Sequence, residues 1–501
     1  MRTAFVAAGA ALTLILPGVP AHAASIDPVN DPVLEPTVGA PGVGDSYHPD
    51  YGNGGYDVSH YDIRLRYWPT DGKLVGTATI LAKTTQDLSR FNLDFLLDVQ
   101  SVRVNGLKAG FAKESSHELV ITPAKPLAKD QQVTVVVEYA DKPAEKKFDG
   151  YTSWKKTADG AMVMGEPEVA WWWYPSNDHP TDKATFDVSV MVPDKVSVIS
   201  NGYMPTAPTD PINGWKRWTW RNTDQTPTYL QMLMIGDYEL TTDTINGLPV
   251  VNAYNRNLGE NMDAAKASIE RSAEVIEWES SILGPYPFHS LGGVAGSPDG
   301  VGYSLENVGR PVYGAKNFRR SANMSLIVHE LGHQWFGDSV SVADWRNIWL
   351  NEGFASYMQW LWSEHANEGT AQELFDYTYA QYPADDKFWQ VSPADPGSGN
   401  EFDGAVYDRG AMAAHQIRLA MGDTAFFQLL RTWQASHQYG TGTIAQFQQL
   451  AEQINGKAMN DVFQTWLYTK AKPAVAGSQL AAPTKPKSWQ NIHDAYAAER
   501  Q

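Results

Sequence analysis

The stretch His329-Glu330-Leu331-Gly332-His333 decides how the rest of the chain is read. It has the form H-E-x-x-H and follows Asn323-Met324-Ser325-Leu326-Ile327-Val328, a run without proline or glycine whose apolar residues fall at helical spacing. On a helix, positions i and i+4 share a face, so both imidazoles project towards one point. Two histidines so placed can hold Zn²⁺, and the glutamate between them can act as general base on a metal-bound water. Glu352 follows after 18 intervening residues, inside Asn351-Glu352-Gly353-Phe354-Ala355, on a second apolar, tryptophan-rich helical stretch. A third ligand from a second helix completes a His₂Glu set with one position open for water. The competing reading, an amphipathic helix with merely packed or surface histidines, leaves Glu352 unexplained.

The totals narrow the chemistry. A chain of 501 residues with 43% hydrophobic content can bury a large core and predicts two or three domains. A net charge of −18 argues against nucleic-acid partners and against anionic membrane surfaces. There is no cysteine, which excludes disulfides, Cys-ligated zinc and thiol catalysis, so any zinc must be held by histidine and carboxylate. At the N-terminus, Arg2 precedes an apolar run from Ala4 to Leu16, and Ala21-His22-Ala23 offers a cleavage site. Residues 1–23 therefore read as a signal peptide, with Ala24 the mature start and the protein exported. No other stretch of about 20 apolar residues occurs, so no membrane insertion is expected.

Residues 24–51 are rich in Pro, Gly and Asp without periodicity and are expected to form an extended, poorly ordered lead-in. From 52 to 245 the pattern is strand-like. Alternating runs such as Val58 to Tyr67, Leu74 to Leu81, Gln132 to Tyr139 and Phe186 to Val192 are separated by Asp71-Gly72, Asn105-Gly106 and similar turns, which predicts an all-β, sandwich-like domain. One segment interrupts it: Gly165-Glu166-Pro167-Glu168-Val169-Ala170-Trp171-Trp172-Trp173-Tyr174-Pro175, whose tryptophans read as an aromatic plug. From 246 to 470 the period becomes 3.6. One long helix is expected over Asn261 to Leu283, short strands at Leu291 to Ala295 and Val301 to Leu305, then the zinc helix and helices over Ile348 to Glu364, Thr370 to Gln381, Ala405 to Met421, Thr424 to His437, Ile444 to Ile454 and Val462 to Thr469. This second domain is α+β and mostly helical. Residues 471–501 read as a linker and frayed tail with a short helix at Trp489 to Arg500.

With these motifs in hand, the chain resembles the gluzincin metallopeptidases of the aminopeptidase N type, peptidase family M1. The context is similar too: His329-Glu330-Leu331-Gly332-His333-Gln334-Trp335-Phe336-Gly337-Asp338, then Trp349-Leu350-Asn351-Glu352-Gly353-Phe354-Ala355. The resemblance runs from about Tyr56 to Tyr468 and implies a β domain carrying a substrate loop, then a thermolysin-like catalytic domain. The family's G-x-M-E-N motif reads here Tyr303-Ser304-Leu305-Glu306-Asn307, with Tyr303 at the glycine position. The resemblance implies that Glu306, with Asn307 beside it, and Glu166 bind the α-ammonium of the substrate. It implies that Tyr407, in Val406-Tyr407-Asp408-Arg409-Gly410, stabilises the transition state. The chain looks like a short two-domain form, because the larger members carry further C-terminal modules.

The expected chemistry is a one-zinc aminopeptidase acting on peptides with a free N-terminus, with His329, His333 and Glu352 as ligands, Glu330 as base and Tyr407 as oxyanion donor. Asp338 could support the ligands or lie at the surface. Two other readings share the motif: an endopeptidase with the same zinc chemistry, and an extracellular binding protein that keeps the fold without catalysis.

Overall fold

A computed structural model describes residues 37–115, 117–475 and 483–493. The expected signal segment and the first part of the lead-in lie outside the described residues. Alternation of apolar and polar side chains builds a seven-stranded sheet from 215–226, 184–193, 56–68, 73–84, 132–141, 99–104 and 107–108, in that spatial order. Strand Ala184–Pro193 runs parallel to Tyr56–Trp68, pairing Val188 with Ile63, and the other neighbours are antiparallel. Successive residues point to opposite faces, so Tyr61, Ile63, Leu65 and Tyr67 enter the core while Asp62, Arg64 and Arg66 point outward. Two four-stranded sheets complete this β-rich part: 37–38, 88–94, 118–122 and 110–113 form one, and 154–156, 161–163, 233–236 and 197–199 the other.

The helical part begins on another four-stranded sheet, 238–245, 248–255, 291–295 and 312–313. Strand Tyr238–Ile245 pairs with Leu248–Asn255, so the change of period at 245/246 falls at the tip of a hairpin. The helices are α1 (Met262–Ile269), α2 (Ser272–Leu283), α3 (Met324–Gly332), α4 (Trp349–His365), α5 (Ala371–Gln381), α6 (Gly410–Met421), α7 (Asp423–His437), α8 (Ile444–Asn455) and α9 (Asn460–Phe463). The single helix expected over 261–283 is two, α1 and α2. The Ser272 hydroxyl donates to the Ile269 carbonyl at 2.7 Å and ends α1 there, which leaves Ile269 packed against Gly293. The strand expected over 301–305 does not form. Leu305 makes a single bridge with Val312, and the preceding backbone lines a cleft instead of pairing.

Residues 37–51 are a second departure. Far from a loose lead-in, Thr37–Val38 pairs with Leu88–Asp94, and the following turn straps the β-rich part to the helical part. Buried Asp45 accepts from the amides of Trp345 at 2.7 Å, Tyr47 at 2.8 Å and His48 at 3.0 Å, and from His179 Nε2 at 3.2 Å. Ser46 donates to Asp344 at 2.6 Å, Tyr47 to Asp395, and Tyr51 to Glu168 at 3.1 Å, while His48 lies 3.1 Å from Glu401. These side chains satisfy main-chain groups at defined points and leave no periodic trace in sequence. The tail is likewise partly ordered. Residues 489–493 are helical, Ser488 bonds Ser363 at 2.7 Å, Trp489 stacks edge-on to Tyr377, and Ile492 is buried.

Asp45 gives the strap a measurable weight. Burial would raise its carboxyl, but the His179 ring and the three amides outweigh that and hold it well below the usual carboxylate range. A depressed folded value contributes stability that is complete above the unfolded value of about 4 and is lost only as pH falls below it. Asp45→Ala strands four donors, and we expect a loss of about 3–5 kcal/mol in denaturant unfolding at neutral pH. A change under about 1 kcal/mol would show that the strap contributes little.

Candidate active site

Helix α3 starts at Asn323, whose side chain accepts from the Leu326 amide at 3.2 Å. The helix is buried throughout Ser325–Gly332, with Leu326, Ile327, Val328 and Leu331 in the core and His329 and Glu330 turned to the cleft. It crosses α4 at Gly332, where a Cβ would sit 3.2 Å from the Met358 side chain and 3.6 Å from the Ala355 backbone. That close approach brings Glu352, in the first turn of α4, to the two histidines. His329 Nε2 and His333 Nε2 are 3.2 Å apart, and each lies 3.3 Å from Glu352 Oε2.

The three donor atoms form an almost equilateral triangle, and its size tests the metal. Ligands about 2.0–2.1 Å from a tetrahedral zinc are about 3.3–3.4 Å from one another, which is the spacing found here. The outer atoms are fixed as a zinc site requires. His333 Nδ1 donates to the Phe336 carbonyl at 2.9 Å, and the Gln359 side chain hydrogen-bonds His329. Both arrangements leave Nε2 lone pairs facing the centre. Burial alone would raise the Glu352 carboxyl, but the His333 and His329 imidazoles hold it down to about 2, so an anion is present for a cation. His329, His333 and Glu352 therefore fit Zn²⁺.

The triangle lies in a cleft of about 520 Å³ that also exposes Glu330, Glu166, Glu306, Tyr303 and Tyr407. Tyr407 sits on a π-type turn, Ala405–Arg409, leading into α6, and its ring stacks on His329 with centroids 6.0 Å apart. Two glycines set that turn close: a Cβ on Gly410 would meet the Gly353 Cα of α4 at 2.9 Å. Arg409 pins it from behind, donating to the carbonyls of Trp466 at 2.8 Å, Val391 at 3.0 Å and Trp389 at 3.2 Å.

Glu306 and Glu166 come from opposite sides. Gln334, next to the second zinc histidine, donates to the Glu306 carbonyl at 2.8 Å and accepts from the Gly309 amide at 2.8 Å, so the zinc helix holds the Glu306 segment in place. Glu166 arrives on the tryptophan loop of the β-rich part, where Trp171, Trp172 and Trp173 are all fully buried. One oxygen of each carboxyl, Glu166 Oε1 and Glu306 Oε1, is shielded and without a hydrogen-bond partner. Burial raises both carboxyls, and for Glu166 the charges of Glu306 and Glu352 raise it further. The His333 ring opposes the rise in both, and each carboxyl keeps one oxygen open to a further donor.

Asn307 differs from its expected role. It is fully buried, donates to the Leu230 carbonyl at 3.0 Å and does not line the cleft, so it positions Glu306 from behind. Tyr303 is half-buried and donates to the Met164 carbonyl at 3.3 Å, which makes it part of the cleft wall. Asp338 is not at the surface. It is fully buried beside Lys183, whose ammonium donates to the carbonyls of Asp338, Ser339 and Gly440, each at 2.9 Å. The positioning roles of Gln334, Gln359, Arg409 and Lys183 escaped the sequence reading. Only Gln334 carried a signal, through its place directly after the motif.

A β-rich part that lends one glutamate to a helical domain bearing H-E-x-x-H and a distant glutamate defines a zinc-peptidase architecture. Comparison with known proteins agrees. Residues 58–230 match the peptidase M1 N-terminal domain and residues 303–466 match the peptidase family M1 domain. The chain belongs to peptidase family M1. It is 24% identical to aminopeptidase M1 of Arabidopsis thaliana, over 83% of this chain and 50% of that one, and 26% identical to aminopeptidase N of Streptomyces lividans, over 59% and 36%. It spans half or less of the length of these curated relatives. Among solved structures it is similar to an M1 zinc metallopeptidase of Deinococcus radiodurans, solved as a mutant bound to a Tyr-Ser-Ala substrate, with a TM-score of 0.76, 28% identity and coverage of 89% of this chain and 98% of that one. A two-domain M1 zinc metallopeptidase mutant bound to L-arginine superposes with a TM-score of 0.77, 29% identity and coverage of 86% and 99%.

We expect His329→Ala to abolish stoichiometric zinc in the purified protein, and Gln359→Ala to weaken zinc affinity by about 10–100-fold through loss of the bond that orients His329. Competition with a metal-sensitive dye measures both. Unchanged affinity in Gln359→Ala would remove it from the site.

Proposed function

We propose that the protein is a zinc-dependent aminopeptidase that hydrolyses the first peptide bond of substrates with a free N-terminus. The observation that carries this reading is the pair of unpartnered carboxyl oxygens of Glu166 and Glu306 in the same cleft as the zinc-binding triangle. Two buried carboxylates without a cation are costly to hold together, and a substrate ammonium offsets that cost. A blocked or internal amide offers none, so the site discriminates for chain ends.

When bound, zinc supplies Lewis-acid polarisation of the scissile carbonyl and acidifies a water. Glu330 takes the proton of the attacking water and returns it to the leaving amine. Tyr407, stacked on His329, donates its hydroxyl hydrogen bond to the developing oxyanion, a contribution worth a few kcal/mol at such sites. Glu306 and Glu166 hold the ammonium, so that only the first peptide bond reaches the triangle.

The N-terminal pattern, Arg2, the apolar run to Leu16 and Ala21-His22-Ala23, supports export with cleavage before Ala24. Among the described residues no helix is long and apolar enough to cross a membrane. Edman sequencing of the protein recovered outside the producing cells should begin at Ala24. A retained Met1 would overturn export by this route.

Activity should be read with aminoacyl-arylamides and with matched free and N-acetylated peptides. Turnover is expected to require metal, to vanish in zinc-loaded Glu330→Gln, and to fall by about 10²–10³ in kcat in Tyr407→Phe. Glu306→Ala should raise KM for free-amine substrates. Equal cleavage of free and acetylated peptides by the wild type would replace the aminopeptidase with an endopeptidase.

A further inference from the structure

The β-rich part holds a second buried group of metal-binding side chains, Asp94, His117 and Glu118, remote in sequence from the zinc motif. Asp94 ends strand Leu88–Asp94 and Glu118 begins the antiparallel strand Glu118–Thr122, so pairing places them opposite each other in register. His117 precedes Glu118 directly. Each carboxylate is tethered by one oxygen and turns the other inward. Asp94 Oδ2 accepts from the Asp178 amide at 2.8 Å and Glu118 Oε2 from the Asn92 side chain at 2.9 Å, while Asp94 Oδ1 and Glu118 Oε1 are buried without a hydrogen-bond partner. His117 Nε2 lies 4.0 Å from Asp94 Oδ1, 3.8 Å from Glu118 Oε1, 3.8 Å from Asp50 Oδ2 and 3.1 Å from the Asp50 carbonyl oxygen.

Asn53 is a separate sign that something is bound. The residue is 1% exposed, its amide oxygen has no hydrogen-bond partner, and its amide group faces the Asp94 carboxyl. An amide oxygen of that kind is a ligand for a hard cation. The charges point the same way. Burial, with Glu118 next, raises the Asp94 carboxyl, and burial lifts Glu118 to about 7. The groups that oppose these shifts are hydrogen-bond donors rather than a lysine or arginine.

We propose that Asp94, His117, Glu118, the Asp50 carbonyl and Asn53 form a divalent-cation site distinct from the zinc site, selective for an ion larger than zinc of the Mn²⁺ or Ca²⁺ class. Spacing separates the two sites. His117 Nε2 stands 3.8–4.0 Å from the two carboxylate oxygens, wider than the 3.2–3.3 Å of the zinc triangle, and a wider donor set surrounds a larger ion. Four of the five donors are oxygens, which favours this class over softer metals. The cation would brace the loop that carries Glu166, because the Asp94 amide donates to the Ser176 carbonyl at 2.8 Å, the Leu96 amide to the Trp171 carbonyl at 2.9 Å, and the His117 ring packs on Trp171 with centroids 4.5 Å apart.

The test uses the full, zinc-loaded protein titrated with Mn²⁺, with free Mn²⁺ followed by electron paramagnetic resonance. We expect one Mn²⁺ per chain, unchanged zinc content, displacement by Ca²⁺ and a higher melting temperature. Glu118→Gln, equal in shape, should weaken binding at least about tenfold, and Asn53→Ala, which removes the amide at the Asp94 carboxyl, provides the second variant. Glu306→Ala should leave Mn²⁺ binding unaltered. Binding weaker than about 1 mM, or binding that survives both β-domain variants, or binding lost in Glu306→Ala, would overturn the proposal.

Discussion

Burial of like charge is the constraint on which the active cleft depends. Glu166, Glu306, Glu330 and Glu352 face one space with two imidazoles among them. Lys155 and Lys316 line the same cleft, and further cations are buried nearby. Yet Lys183, Arg310 and Arg409 each direct their donors to main-chain carbonyls: those of Asp338, Ser339 and Gly440; of Val251, Ser200 and Gly202; and of Trp466, Trp389 and Val391. These three basic groups fasten loops around the cleft instead of pairing with its carboxylates. The uncompensated carboxylates favour a cation in the cleft.

Holding the carboxylates against their repulsion needs a stiff frame, and the frame is made of close contacts between small residues and of long polar reaches. Gly332 lets α3 and α4 approach, and Gly353 and Gly410 let the Tyr407 turn approach α4. Gln334 links the zinc helix to the Glu306 segment. On the other side the strap through Asp45 and Ser46 fastens the β-rich part to Asp344 and Trp345, four residues before the helix that bears Glu352. Glu166 and Glu352 are therefore located relative to each other by contacts at several independent points, and a shift of either part would break more than one of them.

What was legible in the sequence follows from what leaves a pattern. The zinc helix declared itself because two chemical requirements, one face and three ligands, coincide with a 3.6 period, and the strands of the large sheet declared themselves by alternation. Glu306, Glu166 and Tyr407 were expected through family resemblance alone, since a single glutamate or tyrosine has no period, and all three line the cleft. The strap was misread because its stability comes from side chains capping amides and from ring contacts such as Tyr51 against Trp171, with no apolar repeat. Asn307 was misassigned because adjacency in sequence does not fix direction: its neighbour faces the cleft while its own amide turns to Leu230.

The tryptophan loop shows why a plug of three buried indoles belongs beside a carboxylate of the cleft. Glu166 needs a backbone that does not yield when two negative groups are pressed together. Trp171, Trp172 and Trp173 lock the segment after it into the core, and Tyr139 donates to the Trp173 carbonyl at 2.6 Å. The same segment is tied at its far end to Asp94, through Ser176 and Asp178. One run of chain thus joins two clusters of buried carboxylates, the one at the zinc triangle and the one at His117. Main-chain hydrogen bonds tie the Asp94–Glu118 pair to the same segment that carries Glu166.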